Sequence, residues 1–319
     1  MPTVVRAATR GSALARWQTD HVAALLRSAA TAAGVDLEVE VLVVETDGDR
    51  RQDIPIWQMG GKGVFVKEVQ AAVLDGRADI AVHSAKDLPS LGHDGLVIGA
   101  VPARGDARDV LVGATLDGLA PGGLVATGSV RRRAQLAWAR PDLTFAGLRG
   151  NIDSRLAKIP PGGAIVMALA PLERLSLLDR LAAERPVDVL DPAVMVPQVG
   201  QGALAVECRI GDVDGALGVL LGAIEHRPGR LTLEAERGFL TELGGDCDLP
   251  AGAHAMLGSD GELRVEGLIA SLDGHTVLRH SLATGLGPGA DGIRDAAALG
   301  RRLGAFLLHD AGGAALLDR

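Results

Sequence analysis

Arginine side chains recur at the predicted starts of helices, next to glycine and small hydroxyl residues. The segments are Thr9–Ser12, Thr127–Arg133 and Arg149–Arg155. A cation at the amino-terminal end of a helix opposes the helix dipole, by a few tenths of a kcal/mol up to about 1 kcal/mol. A bound anion makes this arrangement favourable, because free backbone N–H groups and the guanidinium both face the anion. One such segment is usually a solvated arginine, whereas three together indicate a site for several carboxylates or phosphates.

Polar residues also end an apolar strand pattern, in the segment Asp79–Pro89. Ligands of open α/β sheets bind where strands end. Lys86 and Asp87 place a cation and a carboxylate in one loop. Such a pair suits proton transfer and charge stabilisation, or is a simple surface ion pair. We interpret His83, in the same run, as a core histidine bonded to backbone rather than as a catalytic group.

The two cysteines fall in different settings. Cys247 belongs to the glycine-rich loop 244–248, where a thiol is accessible, although the neighbouring aspartates disfavour the thiolate. Cys208 belongs to an apolar strand pattern and is predicted to be a small buried hydrophobe. Two distant cysteines without a histidine pair at ligand spacing do not make a zinc site, so no metal is predicted.

Strand and helix patterns alternate through the first two thirds of the chain. This order predicts an α/β fold of two lobes with a hinged cleft, followed by a small C-terminal α+β domain. We assign residues 1–102 and 199–219 to lobe 1, residues 105–197 to lobe 2, and residues 220–319 to the C-terminal domain, which carries the loop cysteine.

The composition of the chain argues against nucleic-acid and membrane partners. The 319 residues carry a net charge of −8, and aromatic residues make up 2% of them, with no tyrosine. Such a chain suits neither attraction to a phosphate backbone nor stacking on bases, so no nucleic-acid partner is expected. No run approaches about 18 apolar residues, and no signal-peptide pattern is visible. We therefore expect a cytoplasmic protein with reduced thiols and no membrane partner.

Taken together, these segments resemble the hydroxymethylbilane synthase (porphobilinogen deaminase) family. The matching runs stand in family order and are ATRGSALA (8–15), GGKGVFVKE (60–68), RADIAVHSAKDLP (77–89), TGSVRRRAQL (127–136), LRGNIDSRL (148–156), VGQGALAVECR (199–209) and GGDC (244–247). They span nearly the whole chain, and the third and fifth runs are the most specific.

The resemblance implies two lobes of the periplasmic-binding-protein type, a third domain, and a dipyrromethane cofactor joined to Cys247 by a thioether. In the family, this cofactor is the primer to which four porphobilinogens are added with loss of ammonia. Water then releases the linear tetrapyrrole. The family precedent is a monomer whose partner is the small-molecule substrate.

Matching positions imply roles for individual residues. Asp87 falls on the catalytic aspartate, which would stabilise an electron-poor azafulvenium-type intermediate and help to transfer protons. The other residues implied to hold the cofactor are Lys86, Ser129, Arg131, Arg132, Arg149 and Arg155. Those implied to bind substrate are Arg10, Ser12, Lys62, Phe65 and Arg174, and two of these, Lys62 and Phe65, match a mobile loop.

Some positions depart from the family pattern, and another class of function shares several of its features. The departures are Ala13, Gly128, Glu173 and Asp246. Glu173 could pair with Arg174, and Asp246 adds negative charge beside the cofactor cysteine. The alternative is a non-catalytic binding or sensor module for a small polycarboxylate. It shares the lobes and the arginines, but it requires neither Asp87 nor Cys247 and gives no reason for a third domain.

Overall fold

The computed structural model of the chain describes residues 3–50, 63–245 and 249–317. The chain forms two compact units. The first contains the residues up to Gly105 together with Ala203–Arg230, and the second contains Asp106–Gly202 together with the residues from Leu231 onward. The α/β class predicted from the sequence is confirmed. The division into three domains stays a prediction, because the second unit holds the lobe 2 segment and most of the C-terminal segment together.

Strands and helices alternate along most of the chain. The strands are β1 (Thr3–Arg10), β2 (Leu37–Val44), β3 (Ile80–Ser84), β4 (Leu96–Ala100), β5 (Asp109–Val112), β6 (Leu124–Ala126), β7 (Thr144–Ala146), β8 (Ala164–Ala168), β9 (Val187–Val189), β10 (Leu204–Arg209), β11 (Ala251–Leu257), β12 (Glu262–Ala270) and β13 (Val277–Gly285). The helices are α1 (Ala13–Ala32), α2 (Asp47–Arg50), α3 (Lys67–Leu74), α4 (Val130–Ala139), α5 (Ile152–Leu156), α6 (Leu169–Arg174), α7 (Leu178–Glu184), α8 (Ala216–Ala223), α9 (Arg227–Glu242) and α10 (Gly289–Ala305).

A five-stranded mixed sheet forms the centre of the first unit, in the order β2-β1-β3-β10-β4. β1 is parallel to β2 and to β3, whereas β10 returns antiparallel between β3 and β4. β10 belongs to the segment 199–219 that the sequence analysis assigns to lobe 1, and it lies in the same sheet as β1 to β4. Cys208 on β10 is fully buried, as the apolar pattern predicts. Because β1 and β3 are parallel neighbours, their carboxyl ends meet at one edge of the sheet.

The second unit repeats this arrangement in a sheet of order β7-β6-β8-β5-β9. β6 is parallel to both β7 and β8, while β5 is antiparallel to β8 and β9. The loops that follow β6, β7 and β8 therefore leave from the same edge of the sheet. These three loops lead to Ser129, Arg149 and α6. The parallel order of the strands therefore places the predicted arginine-bearing segments at the same edge of the sheet.

The rest of the second unit is a three-stranded antiparallel sheet, β11-β12-β13, packed on α9 and α10. Phe239 on α9 is fully buried in that core. A Cβ atom on Gly252 of β11 would lie 2.6 Å from the Pro197 carbonyl and 3.1 Å from Cδ of Arg131. Glycine at this position lets the sheet approach the backbone that supports the arginines of α4.

Three short elements have weak signals in the sequence. The elements α2, β9 and α8 are brief or rich in glycine, so their apolar periodicity is weak. Pro171 lies in the first turn of α6, which begins at Leu169. Proline is tolerated in the first turn of a helix, where its missing N–H has no intrahelical partner.

Candidate functional site

Asp87 ends a short turn at the carboxyl end of β3. Ala85–Asp87 forms one turn of 3₁₀ helix, and the backbone N–H of Ala85 donates to the carbonyl of Ala203 at 3.0 Å. Leu88 then adopts an extended conformation, as expected before proline. The turn is thus fixed at both ends and leaves the Asp87 side chain partly exposed, with half-buried Lys86 beside it in the chain.

Asp87 lines a cleft that also contains several of the predicted substrate residues. We call this the Asp87 cleft; its lining includes Arg10, Ser12, Gln18, Phe65, His83 and Asp87. Arg10 is the last residue of β1, and Ser12 caps α1 by accepting a hydrogen bond from the backbone N–H of Ala15 at 3.3 Å. A carboxylate and a guanidinium therefore share one cleft at the ends of parallel strands.

Phe65 lies against Arg10. The Cζ atom of Arg10 is 4.2 Å from the centroid of the Phe65 ring, within the range of a cation–π interaction. On another side the ring fills the space above Gly48, where a Cβ atom would lie 2.1 Å from the ring. The position of Phe65, and with it one face of the Arg10 guanidinium, depends on glycine at position 48.

Gln18 also lines the cleft, although it is not among the residues predicted from the sequence. Gln18 is on α1, is only 3% exposed, and donates a 2.8 Å hydrogen bond from Nε2 to Oγ of Ser84. It occupies a buried helical stripe with Ala15 and Val22. A polar residue within an apolar stripe is the sequence signal that would have marked it.

His83 is buried, as expected, but its partner is a side chain. Its Nε2 atom lies 3.1 Å from Oε2 of Glu207 on β10, and both side chains are 4% exposed. The same Glu207 oxygen accepts a 2.9 Å hydrogen bond from Nε2 of Gln70. The expectation of a backbone partner for His83 is therefore replaced by a buried carboxylate behind the Asp87 cleft.

In the second unit, Arg131 and Arg132 converge on one buried carboxylate. Nη2 of Arg131 lies 2.8 Å from Oδ2 of Asp109, and Nη2 of Arg132 lies 2.8 Å from Oδ1. Asp109 is fully buried, and Ser129 caps the helix that carries both arginines. Burial would raise the pKa of Asp109, but the two guanidinium groups outweigh it and lower that pKa to about 2. Asp109 is another site residue that the sequence analysis missed.

Arg149 precedes α5 in the loop after β7, and Arg155 lies within the helix. Asn151 caps this helix, and Nε of Arg155 donates to the carbonyl of Gly150 at 2.7 Å. Gly150 has a φ of +118°, and a Cβ atom there would lie 2.0 Å from Oγ of Ser154. Glycine is therefore required for the turn that presents both arginines. Burial lowers the pKa of Arg149.

Arg174 ends α6, which follows β8. Its Nη2 donates to the carbonyl of Gly202 at 2.6 Å. Burial lowers the pKa of Arg174 to about 10, whereas the charge of Glu173 raises it. The side chain still carries its charge near neutral pH, in surroundings that favour a further anionic neighbour.

The predicted site residues thus fall into both compact units. Lys62 and Cys247 lie outside the described residues. Of the others, the first unit carries Arg10, Ser12, Phe65, Lys86 and Asp87, and the second carries Ser129, Arg131, Arg132, Arg149, Arg155 and Arg174. Along the described ranges, no helix combines the length and apolarity needed to cross a membrane.

Fold and site together define an α/β protein that presents cationic side chains and the Asp87 carboxylate at the ends of parallel strands. Two family models match the chain. One is described as "Porphobilinogen deaminase, dipyromethane cofactor binding domain" and covers residues 5–216, and the other as "Porphobilinogen deaminase, C-terminal domain" and covers residues 230–309. The chain belongs to the porphobilinogen deaminase family, whose members are transferases of tetrapyrrole biosynthesis.

Similar proteins cover nearly the full length of the chain. Porphobilinogen deaminase of Nitratidesulfovibrio vulgaris (strain Miyazaki F) is 44% identical over 98% of this chain and 95% of its own length. The corresponding protein of Acidothermus cellulolyticus is 41% identical over 96% of this chain and 89% of its own. A solved TRAP periplasmic solute-binding protein from Ralstonia eutropha H16 aligns with a TM-score of 0.39 at 11% identity, over 99% of each chain.

The family's cofactor is dipyrromethane, and a cavity in the second unit fits a group of this chemistry. We call it the Arg131 cavity; its lining includes Ser129, Arg131, Gln198, Val199, Leu249 and Ala251. Arg131 lines this cavity, and within the described ranges its Nε is buried without a hydrogen-bond partner. A buried donor without a partner is costly, and a carboxylate would satisfy it. Leu249, which lines this cavity, stands two positions after Cys247 in the sequence.

Proposed function

We propose that this chain joins four porphobilinogen molecules head to tail, starting from a dipyrromethane primer held by a thioether at Cys247, and releases a linear tetrapyrrole by hydrolysis. Porphobilinogen carries an acetate, a propionate and an aminomethyl group on a pyrrole ring. The bound dipyrromethane would supply the pyrrole carbon to which the first substrate is joined. The side chains of the protein would supply the proton transfer, the charge stabilisation and the binding of the carboxylates.

Each addition breaks one bond and forms another. The C–N bond of the aminomethyl group breaks, and the nitrogen leaves as ammonia after gaining a proton. The methylene carbon then bonds to the free α-carbon of a neighbouring pyrrole, which loses a proton. The reaction therefore needs one proton delivered, one proton removed, and stabilisation of positive charge on the substrate pyrrole in between.

Asp87 is the group that we assign to these tasks. Its carboxylate would face the pyrrole N–H, stabilise the positive charge and exchange protons with the reacting groups. The observation that carries this assignment is the Asp87 cleft, where Asp87 and Arg10 share one lining at the ends of β3 and β1. Arg10 and Ser12 would bind a carboxylate of the substrate and so orient its ring toward Asp87.

The arginines of the second unit would hold carboxylates of the primer and of the growing chain. Arg131 offers a buried Nε donor, and Arg174 is a half-buried cation whose pKa is lowered by burial. Each added pyrrole brings two more carboxylates, so a set of arginines suits a product that lengthens on the enzyme. We assign Lys86, Ser129, Arg132, Arg149 and Arg155 to the same task.

We also infer that the enzyme works as a cytoplasmic monomer without nucleic-acid or membrane partners. A thioether at Cys247 requires a free thiol when the primer is attached, which suits a reducing compartment. The net charge of −8 opposes attraction to nucleic acid. The molar mass of the purified protein in solution, measured by light scattering, tests the monomeric state.

The purified protein, incubated with porphobilinogen, tests the reaction itself. We expect release of ammonia and of a linear tetrapyrrole, and the loss of both in Cys247→Ser. Cys208→Ala is the matched control, because Cys208 is a fully buried core residue and its loss should only lower stability. Substrate binding without ammonia release by the wild-type protein would support a polycarboxylate-binding module instead.

Asp87→Ala tests the assigned carboxylate. We expect this variant to carry the primer, since the primer is attached at Cys247, and to turn over at least about 100-fold more slowly, the usual scale for lost acid–base catalysis. Intact mass reports the primer, and the rate of ammonia release reports turnover. Turnover at the wild-type rate would remove Asp87 from the mechanism.

A further inference from the structure

We propose that Asp109 is a positioning residue for primer attachment: it holds Arg131 and Arg132 so that Nε of Arg131 is presented to a carboxylate in the Arg131 cavity. The inference rests on the proposed function, since the carboxylate is taken to belong to the primer. It concerns a residue on β5 whose side chain takes no part in lining the cavity as described.

The hydrogen bonds of Arg131 engage both terminal nitrogens and leave Nε for a ligand. Its Nη1 donates to the carbonyl of Val196 at 2.5 Å, and its Nη2 donates to Oδ2 of Asp109 at 2.8 Å. Its Nε is buried and has no hydrogen-bond partner among the described residues. With both terminal nitrogens held, the guanidinium plane cannot turn, and Nε is the nitrogen whose donor has no partner until a carboxylate arrives.

The second oxygen of Asp109 organises Arg132. Nε of Arg132 donates to Oδ1 of Asp109 at 2.9 Å. Nε2 of Gln201 donates to the same oxygen at 3.0 Å, while its Oε1 accepts a hydrogen bond from Arg132. Gln201 also donates to the carbonyl of Ala107 at 2.7 Å, so the cluster is anchored to the backbone just before β5.

The net charge of the cluster formed by Asp109, Arg131 and Arg132 favours the binding of an anion. Arg131 is 2% exposed and Asp109 is not exposed, so these charges are largely removed from water. Two guanidinium groups and one carboxylate leave an excess of one positive charge among these three side chains. Buried charge is costly unless it is compensated, so a ligand carboxylate stabilises the cluster. Asp109 neutralises one of the two guanidinium charges, and the positive charge that remains attracts the ligand carboxylate.

The neighbouring Gln135 supports the same geometry from the other side. Its Nε2 donates to the carbonyl of Val196 at 3.1 Å, and its Oε1 accepts from the backbone N–H of Val196 at 2.7 Å. The carbonyl that holds Nη1 of Arg131 is therefore itself fixed. Both terminal nitrogens of Arg131 thus bond to groups that cannot shift freely.

The test compares primer attachment in variants of the full chain purified without primer. Asp109→Asn removes the charge, and Asp109→Glu restores it with a longer side chain. The control is Asp188→Asn on the adjacent strand β9, where Oδ2 of Asp188 accepts from the backbone N–H of Leu116 at 2.8 Å, away from the arginines. Each protein is mixed with porphobilinogen well below its own melting temperature, and the gain in intact mass is followed with time at several concentrations.

We expect Asp109→Asn to attach the primer at least about 10-fold more slowly and to need a higher porphobilinogen concentration for half of its maximal rate. Asp109→Glu should recover part of the loss, and Asp188→Asn should attach the primer at the wild-type rate. If Asp109→Asn does not fold, Gln201→Met weakens the same arrangement without removing a charge, and it should slow attachment in the same sense.

Two outcomes separate this inference from the proposed function. Wild-type attachment kinetics in folded Asp109→Asn or Gln201→Met, with only a lower melting temperature, would overturn the positioning role while the proposed function stands. Failure of the wild-type protein itself to gain the primer would overturn the proposed function instead.

Discussion

The side chain of Gln18 donates a 2.8 Å hydrogen bond to the hydroxyl of Ser84, and so joins α1 to the end of the strand that leads to Asp87. Gln18 is almost completely buried, whereas Ser84 is partly exposed at the cleft. The hydrogen bond spans 66 positions of sequence. It fixes the distance between the helix that Ser12 caps and the turn that presents Asp87.

The first prediction follows from that hydrogen bond. Gln18→Leu keeps the volume but removes the donor, which should cost about 1 kcal/mol of unfolding free energy and lower kcat several-fold as Ser84 and Asp87 lose their fixed position. Thr31→Ala is the control, because it removes an exposed hydrogen bond from Thr31 to Arg27 near the far end of the same helix. Urea unfolding and steady-state kinetics measure both variants. Equal loss of kcat in the two would contradict the prediction.

Gly48→Ala should disturb substrate binding through Phe65. The added Cβ would lie 2.1 Å from the Phe65 ring, so the ring must leave its place over Arg10. We expect KM for porphobilinogen to rise several-fold with a smaller change in kcat, because the affected residues bind rather than react. Gly92→Ala, with open space around the added atom, is the control and should leave KM unchanged. An unchanged KM in Gly48→Ala would separate Phe65 from substrate binding.

Gly150→Ala should weaken the arginine-bearing turn before α5. The residue has a φ of +118°, and its Cβ would lie 2.0 Å from Oγ of Ser154. We expect a loss of about 1–3 kcal/mol in unfolding free energy, together with slower primer attachment as Arg149 and Arg155 move. Gly162→Ala shares a positive φ, +66°, but has open space around it, so it should lose stability without slowing attachment. Normal attachment in Gly150→Ala would show that the turn does not hold the primer.

Acid should unfold the second unit partly through Asp109. Its pKa is lowered from an ordinary value of 3.8 to about 2 in the folded protein. A lowered folded-state pKa contributes stability above the unfolded value, and this stability is lost as the pH falls from about 4 toward 2. The contribution is about 2 kcal/mol. We expect Asp109→Asn to show a flatter loss of stability over this window than Asp142→Asn, which alters an exposed ion pair with Arg140. Identical pH slopes would contradict the pKa of Asp109.

Much of the fold was accessible from the sequence because its signals are local. The residues of β2 alternate between apolar and polar and then become fully apolar, which is a strand pattern, and Ser12 is a typical cap residue directly before α1. The arginine-bearing loops were identified for the same reason, since each lies within a few residues of a helix start. Parallel strands then bring the loops after β6, β7 and β8 to one edge, which their sequence order alone already favours.

The remaining site residues depend on contacts that no local pattern encodes. Asp109 meets Arg131 across 22 positions and Gln201 across 92. Glu207 reaches His83 only because β10 returns antiparallel beside β3. In the sequence, Asp109 is an ordinary polar residue at the start of a strand. Only in the folded structure is it buried between two guanidinium groups. The positions of these charges are set by contacts between residues far apart in the sequence, and not by local secondary-structure propensity.

The most direct test of the account is the intact mass of the purified protein under reducing, denaturing conditions. We predict a mass above that of the sequence by two porphobilinogen units less the ammonia lost on attachment, with the increase on the peptide that contains Cys247 and none on the peptide that contains Cys208. A protein isolated without primer should gain the same increment on incubation with porphobilinogen. A mass equal to the sequence alone, unchanged after that incubation, would contradict the proposed function.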